Sequence, residues 1–287
     1  MSEITLTPIT RSIDCPRHRP CIDLSYYDHG GGETLVLVHG LGGDAAGWRQ
    51  QIAVLSDSWR VVAMDLRGHG GSGYRPEEAI TLRAFADDLA ALLRSLGVEQ
   101  AHFCGNSLGG MIVLELWVRF PALLKSLILA DTTAFFPPPQ MLADFLRLFD
   151  KVDLAAWAGF MAPRLLGPKA SASLEEEVRR TMAATSRAVY RQGLVAAFQA
   201  DYRWMLPLVD IPTLIVVGEE DQATPIGYAR FLASRIKGSA LRLVRAAAHL
   251  PHRENPEEFN RILKEHLERI RERPGTMKPK DKKEDWP

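Results

Sequence analysis

The chain has 287 residues, of which 46% are apolar, and its 35 basic and 35 acidic residues cancel. That length allows one large domain or two small ones, with enough apolar material for a sizeable core. A balanced charge gives no electrostatic reason to expect nucleic acid, and no apolar run approaches a membrane span.

The N-terminus, Met1-Ser2-Glu3-Ile4-Thr5-Leu6-Thr7, lacks the basic and then apolar pattern of a secretory signal. The first thirty residues read as two β segments around a turn at Cys15-Pro16-Arg17-His18-Arg19-Pro20, an antiparallel edge hairpin. Cys15 and Cys21 are near enough to pair, but three cysteines make no full disulfide framework and show no metal or redox spacing. A reduced cytoplasmic setting is the default expectation.

From about 34 to 131, strand and helix alternate. Leu35-Val36-Leu37-Val38, Val61-Val62-Ala63-Met64, Phe103-Cys104 and Leu127-Ile128-Leu129-Ala130 are apolar runs of the kind expected for strands covered on both faces. Cys104 reads as a small buried hydrophobe. Helix-like stretches lie between them, at roughly 46–55, 82–96 and 108–119. In the second, Leu82, Phe85, Leu89, Leu92, Leu93 and Leu96 recur at helical spacing before Gly97. Such alternation implies a mostly parallel sheet with right-handed crossovers.

The stretch Gly105-Asn106-Ser107-Leu108-Gly109 has the G-x-S-x-G form of a nucleophile elbow and lies between an apolar strand and an apolar helix, the context that motif requires. Glycines at 105, 109 and 110 let the backbone pass without a Cβ clash. From 132 to 208 the pattern changes. Pro137-Pro138-Pro139 breaks the chain, and amphipathic helical stretches follow without a clear strand. Their apolar stripes are Met141, Leu142, Phe145, Leu146 and Phe149; then Trp157, Phe160 and Met161; then Leu194, Val195 and Phe198. Strand and helix then resume: Thr213-Leu214-Ile215-Val216-Val217, a helix at about 226–236, Ala240-Leu241-Arg242-Leu243-Val244 and a helix at about 256–271. Residues 273–287 are rich in Lys, Asp, Glu and Pro, as in a mobile tail.

A serine hydroxyl is a poor nucleophile at neutral pH and needs a base, which needs a third group to orient it. Asp221 follows one strand and His249 follows the last, so both should gather with Ser107 beyond the carboxyl ends of a parallel sheet. The alternatives are Asp221 as the N-cap of the helix starting near Pro225, Asp131 as the acid instead, Glu219 or Glu220 beside it, and His252 as the base; His252 reads as a rim or surface residue. Val38-His39-Gly40-Leu41-Gly42-Gly43 follows a strand, and the amides of Leu41 and Leu108 are the expected oxyanion donors.

Together the motifs resemble the α/β-hydrolase superfamily over residues 20–272. They are His39-Gly40 with Trp48, Asp65-Leu66-Arg67-Gly68-His69-Gly70-Gly71-Ser72, the elbow, Gly218-Glu219-Glu220-Asp221, and Ala248-His249 with Glu254-Asn255-Pro256. The resemblance implies an eight-stranded, mostly parallel sheet with flanking helices. It places the hydrolase core at 1–131 and 209–272, with a helical cap at 132–208. It makes His39 and His69 structural, and Ser107, Asp221 and His249 catalytic, with no metal or organic cofactor. The pieces look most like the enol-lactonase and carboxylesterase branch, so the expected substrate is a small ester or lactone such as 3-oxoadipate enol-lactone. Meta-cleavage C–C hydrolases share the Gly-Asn-Ser opening, but their His-Gly-Ser-Gly-Pro-Gly loop is here His-Gly-Leu-Gly-Gly-Asp. Epoxide hydrolases and haloalkane dehalogenases use Asp where this chain has Ser107. Outside enzymes, the rival is a ligand receptor that keeps the triad. The cap's Trp157, Phe160 and Met161 are candidates for the cavity roof, and Arg164 for a substrate carboxylate. No nucleic-acid or membrane partner is expected, and a homodimer is left open.

Overall fold

The computed structural model describes residues 6–13, 22–136 and 139–272. The Cys15–Cys21 pairing, the turn at 15–20, Pro137 and Pro138, and the tail beyond 272 lie outside the described residues.

Eight strands form one sheet: β1 (Ile9–Ile13), β2 (Ile22–His29), β3 (Thr34–Val38), β4 (Arg60–Met64), β5 (Ala101–Asn106), β6 (Leu124–Ala130), β7 (Thr213–Gly218) and β8 (Ala240–Val244). Their order is β1-β2-β4-β3-β5-β6-β7-β8. β1 and β2 pair antiparallel, as does β2 with β4, and every later pairing is parallel. The edge hairpin and the parallel centre expected from the sequence are both present.

The helices are α1 (Arg49–Leu55), α2 (Leu82–Ser95), α3 (Leu108–Arg119), α4 (Pro139–Phe149), α5 (Leu154–Leu165), α6 (Ala172–Ala184), α7 (Arg187–Gln199), α8 (Ile226–Arg235), α9 (Pro251–Glu254) and α10 (Pro256–Arg271). The sequence pattern finds α2, α3, α8 and α10 to within a residue. The stretch at 46–55 divides into a 3-10 turn (Ala45–Trp48), capped by Asp44, and α1. Two apolar layers sandwich the sheet. α2, α3 and α8 cover one face, with Phe85, Leu89, Ile112 and Leu232 buried there. α1 and α10 cover the other, with Trp48, Ile52, Phe259 and Leu263 buried. Because β3 to β7 are covered on both faces, apolar residues dominate them, as in Leu35-Val36-Leu37-Val38 and Leu127-Ile128-Leu129-Ala130.

Between β6 and β7 the chain leaves the sheet and makes α4 to α7. It departs and returns side by side: Phe135 and Asp201 form an antiparallel bridge, and the Tyr202 amide donates to the Ala134 carbonyl at 2.8 Å. These helices hold their own cluster of Phe149, Leu154, Trp157, Ala158, Met182 and Tyr190. They roof the carboxyl ends of β3, β5, β6 and β7.

Candidate active site

Ser107 occupies the corner between β5 and α3 with φ 55° and ψ −118°. Residues carrying a Cβ rarely adopt such angles, so the neighbours must hold it there. Its amide donates to the Ala130 carbonyl at 2.9 Å, and its carbonyl accepts from Thr132 Oγ1 at 2.6 Å and from the Gly110 amide at 3.0 Å. A Cβ at 105 would run into the Gly109 carbonyl, and one at 109 into the Val38 carbonyl. Those two positions admit only glycine, which is the steric content of the motif. The Leu108 amide is the first N–H of α3 and has no partner within the helix. Leu41 lies across from it, on the loop after β3. Among the described residues neither amide has a backbone acceptor. Leu41, Ser107 and Leu108 all line one cavity.

His249 follows β8 and lines the same cavity. Its Nδ1 lies 3.0 Å from Asp221 Oδ2. Asp221 also accepts from Thr224 Oγ1 at 2.7 Å, the Ala223 amide at 2.8 Å and the Thr224 amide at 3.1 Å. Burial pushes this carboxyl up, but His249 and the Thr224 donors outweigh that and hold it below the usual carboxylate range. α8 begins at Ile226 with Pro225 as N-cap and no side-chain cap, so Asp221 is not used as a helix cap. Among the described residues no hydrogen bond of 3.5 Å or less joins the Ser107 hydroxyl to the His249 ring; the shared cavity is what brings those two residues together.

Asp131, the rival acid, is buried beside this pair at φ 45°. Its Oδ1 accepts from the Gly218 amide at 2.7 Å, and its Oδ2 has no partner among the described residues. Burial and the Asp221 charge push its pKa well above the ordinary carboxylate range, which favours the protonated form. Ligand-capable atoms of Asp131, Asp221 and His249 lie within 4.8 Å of one another. Four donors already fill Asp221, one of them His249 Nδ1, so of the carboxylate oxygens in this set only Asp131 Oδ2 is left without a hydrogen bond among the described residues.

His39 braces the loop after β3. Its Nε2 accepts from the Leu66 amide at 3.0 Å, and Nδ1 donates to the Gly40 carbonyl at 2.8 Å. Burial lowers its pKa to about 4, which keeps it neutral for that pair of bonds. His252 departs from its expected place at the rim. It is 4% exposed and stacked on Trp48 with ring centroids 4.1 Å apart. The short helix α9 turns its ring inward, a direction that no periodicity in four residues could reveal.

The cavity has a volume of about 600 Å³. Its roof comes from Met141, Phe145, Phe160, Met161, Met182 and Phe198 of α4 to α7. Phe160 and Met161 therefore face it as expected. Trp157 does not: it is 1% exposed and packs edge-on to Phe149, inside the cap's own core. On α5 it lies three residues before Phe160 and points into the cluster that holds the cap together. Arg164 lines the mouth but is exposed and folded back on its own helix, 3.6 Å above the Phe160 ring and donating to the Phe160 carbonyl at 2.5 Å.

Three residues without a role in the sequence reading shape the site. Asn106 Nδ2 donates to the His249 carbonyl at 3.0 Å, tying the elbow to the histidine loop. Glu254 accepts from the amides of Gly167, Ala248 and Leu250 at 2.7, 3.0 and 3.2 Å, fastening that loop to the end of α5. Arg253 lines the cavity with its side chain 9% exposed. Asn106 sits inside the elbow and Glu254 in the Glu254-Asn255-Pro256 stretch, yet the His249 carbonyl and the Gly167 amide that they reach lie 143 and 87 residues away, and no spacing reveals those contacts.

The Alpha/beta hydrolase family profile matches residues 35–262. The chain is 30% identical over 240 residues to 3-oxoadipate enol-lactonase 2 of Acinetobacter baylyi, covering 83% of this chain and 89% of that one. A thermophilic esterase from Thermogutta terrifontis superposes with a TM-score of 0.85 at 30% identity, covering 91% of this chain and 99% of the other. The enol-lactonase of Burkholderia xenovorans shares the fold, with a TM-score of 0.80 at 24% identity over 91% of this chain and all of that one. By sequence and by fold, the chain belongs to the alpha/beta hydrolase family.

Proposed function

We propose that this protein is a serine hydrolase that cleaves a carboxylic ester or lactone through an acyl-enzyme. The observation that carries this reading is the Asp221–His249 pair at 3.0 Å, opening on the same cavity as a serine held on a strained elbow. Likeness to an enol-lactonase and to an esterase supports the same class.

Ser107 Oγ attacks the carbonyl carbon while His249 Nε2 takes its proton. Asp221 fixes the tautomer that presents Nε2 and stabilises the imidazolium. The Ser107–His249 bond closes as substrate fills the cavity, since such bonds are often long before it does. Negative charge on the carbonyl oxygen falls to the Leu41 and Leu108 amides, both without a backbone acceptor among the described residues, the second at the start of α3 where the helix dipole adds to it. His249 then protonates the leaving oxygen, and a water activated by the same ring releases the acid. In a lactone the leaving oxygen stays attached to the acyl chain, so the product is a single hydroxy acid, or its keto tautomer for an enol-lactone.

A panel of p-nitrophenyl esters, lactones and vinylogous diketones tests the reading. Ester or lactone turnover with negligible diketone cleavage is the expected result. Diketone cleavage alone would replace it with a C–C hydrolase. Tight binding with turnover at the background rate would replace it with a receptor.

A further inference from the structure

Arg67 and Arg253 both have side chains withdrawn from solvent, at 1% and 9% exposure. Their surroundings differ. Arg67 meets Asp88 with two parallel bonds of 2.5 Å and Glu78 with a third of 2.8 Å. Two carboxylates answer its fork. Arg253 has a fraction of one. Its Nη2 lies 2.8 Å from Glu177 Oε1 without the alignment of a hydrogen bond. Glu177 is already gripped through both oxygens by Arg49, at 2.6 and 2.9 Å. Among the described residues, Nε and Nη1 of Arg253 have no acceptor.

A guanidinium carries five N–H donors and cannot shed its charge, so burying its Nη2 without a hydrogen bond is costly, and its remaining donors are left for another acceptor. Arg253 stands four residues after His249 and forms part of the wall of the cavity that holds Ser107. Asp44 and Glu220 share that lining. Selection for an anion therefore rests on the unanswered donors of Arg253 and not on net charge. Asp44 in particular is turned to the Gly47 amide, at 3.0 Å, as the cap of the 3-10 turn. Arg253 stands in the wall between this mainly apolar cavity and a polar pocket that it shares with Arg49 and Glu177, and a planar fork at such a wall matches a carboxylate at the far end of an apolar chain.

We propose that Arg253 anchors a carboxylate of the substrate, so that the ester or lactone cleaved is an acidic one. Arg164, bound to its own helix at the exposed mouth, does not fill this role. The proposal rests on the hydrolase reading above.

The test compares phenyl hydrogen glutarate with phenyl valerate, which share acyl length and leaving group and differ in the terminal carboxylate. Wild type should favour the glutarate in kcat/KM by at least about tenfold, mostly through KM. Arg253→Gln should lower that ratio about tenfold or more, and Arg253→Lys by less, because it keeps the charge and loses the fork. Glu177→Gln removes the competing carboxylate and should hold or raise the ratio. A wild-type ratio at or below one overturns the anchor. So does a fall in the ratio in both Arg253→Gln and Glu177→Gln, which would mark the ion pair as merely structural. If neither ester turns over, the hydrolase reading fails by itself. The anchor is then judged by calorimetry with glutarate and the Ser107→Ala protein: binding lost on adding Arg253→Gln sustains it, and equal binding overturns it.

Discussion

Below the cavity, the sheet presents Ser107, Asn106, Asp221 and His249 through short polar contacts: the Ala130 carbonyl on the Ser107 amide, the Thr224 donors on Asp221, Asn106 on the His249 carbonyl. Above it, α4 to α7 present Met141, Phe145, Phe160, Met161, Met182 and Phe198, side chains with no directional demand on what they touch. Polar geometry at the floor fixes which bond is attacked; soft apolar surface at the roof admits a range of acyl shapes. Arg253 belongs to the floor by sequence and meets Glu177, on α6 of the cap, at 2.8 Å. The two regions meet at that residue.

If this division is right, substitutions in the floor cost turnover and substitutions in the roof change selectivity. The largest effect belongs to Ser107→Ala, which should lower kcat by roughly 10⁴-fold or more with an unaltered thermal melt. Retained activity would mean that the elbow is not the nucleophile's seat. Asp221→Asn should cost about 10³- to 10⁴-fold, because an amide at 221 no longer selects the tautomer that leaves Nε2 free. Steady-state kinetics on one ester measures both. Near-normal activity there, with loss in Asp131→Asn, would move the acid to 131.

The floor was legible in the sequence for a physical reason. Strand runs such as Leu35-Val36-Leu37-Val38 are apolar because both faces are covered, and residues that follow such strands meet at one edge whatever their separation in the chain. Ser107, Asp221 and His249 could be placed together on that rule. The roof could not. Trp157 and Phe160 lie on one helix three residues apart, yet the first packs into the cap and the second into the cavity. Which way the stripe turns depends on how α5 sits on α6 and α7, and no local pattern encodes that. Asn106 escaped for a related reason, since its partner lies 143 residues away.

Asn106→Ala probes the seam between the elbow and the histidine loop. It removes the donor to the His249 carbonyl and should lower kcat by about tenfold to a hundredfold while KM stays within about threefold. A pure KM effect would place Asn106 on the substrate side. In the roof, Phe160→Ala and Met161→Ala should raise KM for long acyl esters by about threefold to tenfold and leave acetate esters within about threefold. The check is kcat/KM against acyl length. Uniform losses at every length would erase the contrast between floor and roof.

The smallest effect on activity is expected at Asp131, where stability across pH is the sharper reading. Two carboxyls buried this close do not both ionise. Asp221 has four donors and Asp131 one, so the charge settles on Asp221 and Asp131 keeps its proton. In the unfolded chain Asp131 releases that proton near its ordinary value of 3.8. The folded state then holds a proton that the unfolded state has lost, and this group's contribution falls as pH rises from there toward the raised folded value, by up to about 1.4 kcal/mol per pH unit. Asp221 acts in the opposite sense: its contribution is present above its ordinary value and is lost as pH falls through the depressed one. Asparagine at 131 cannot titrate but still offers an oxygen to the Gly218 amide. Asp131→Asn should therefore keep activity within about threefold and flatten the stability profile as pH rises above about 4, measured by urea melts at several pH values. A profile with the wild-type slope would mean that Asp131 is ionised in the native protein. His249 would then face two charges instead of one, and the floor of the cavity would have to be rebuilt around a shared acid.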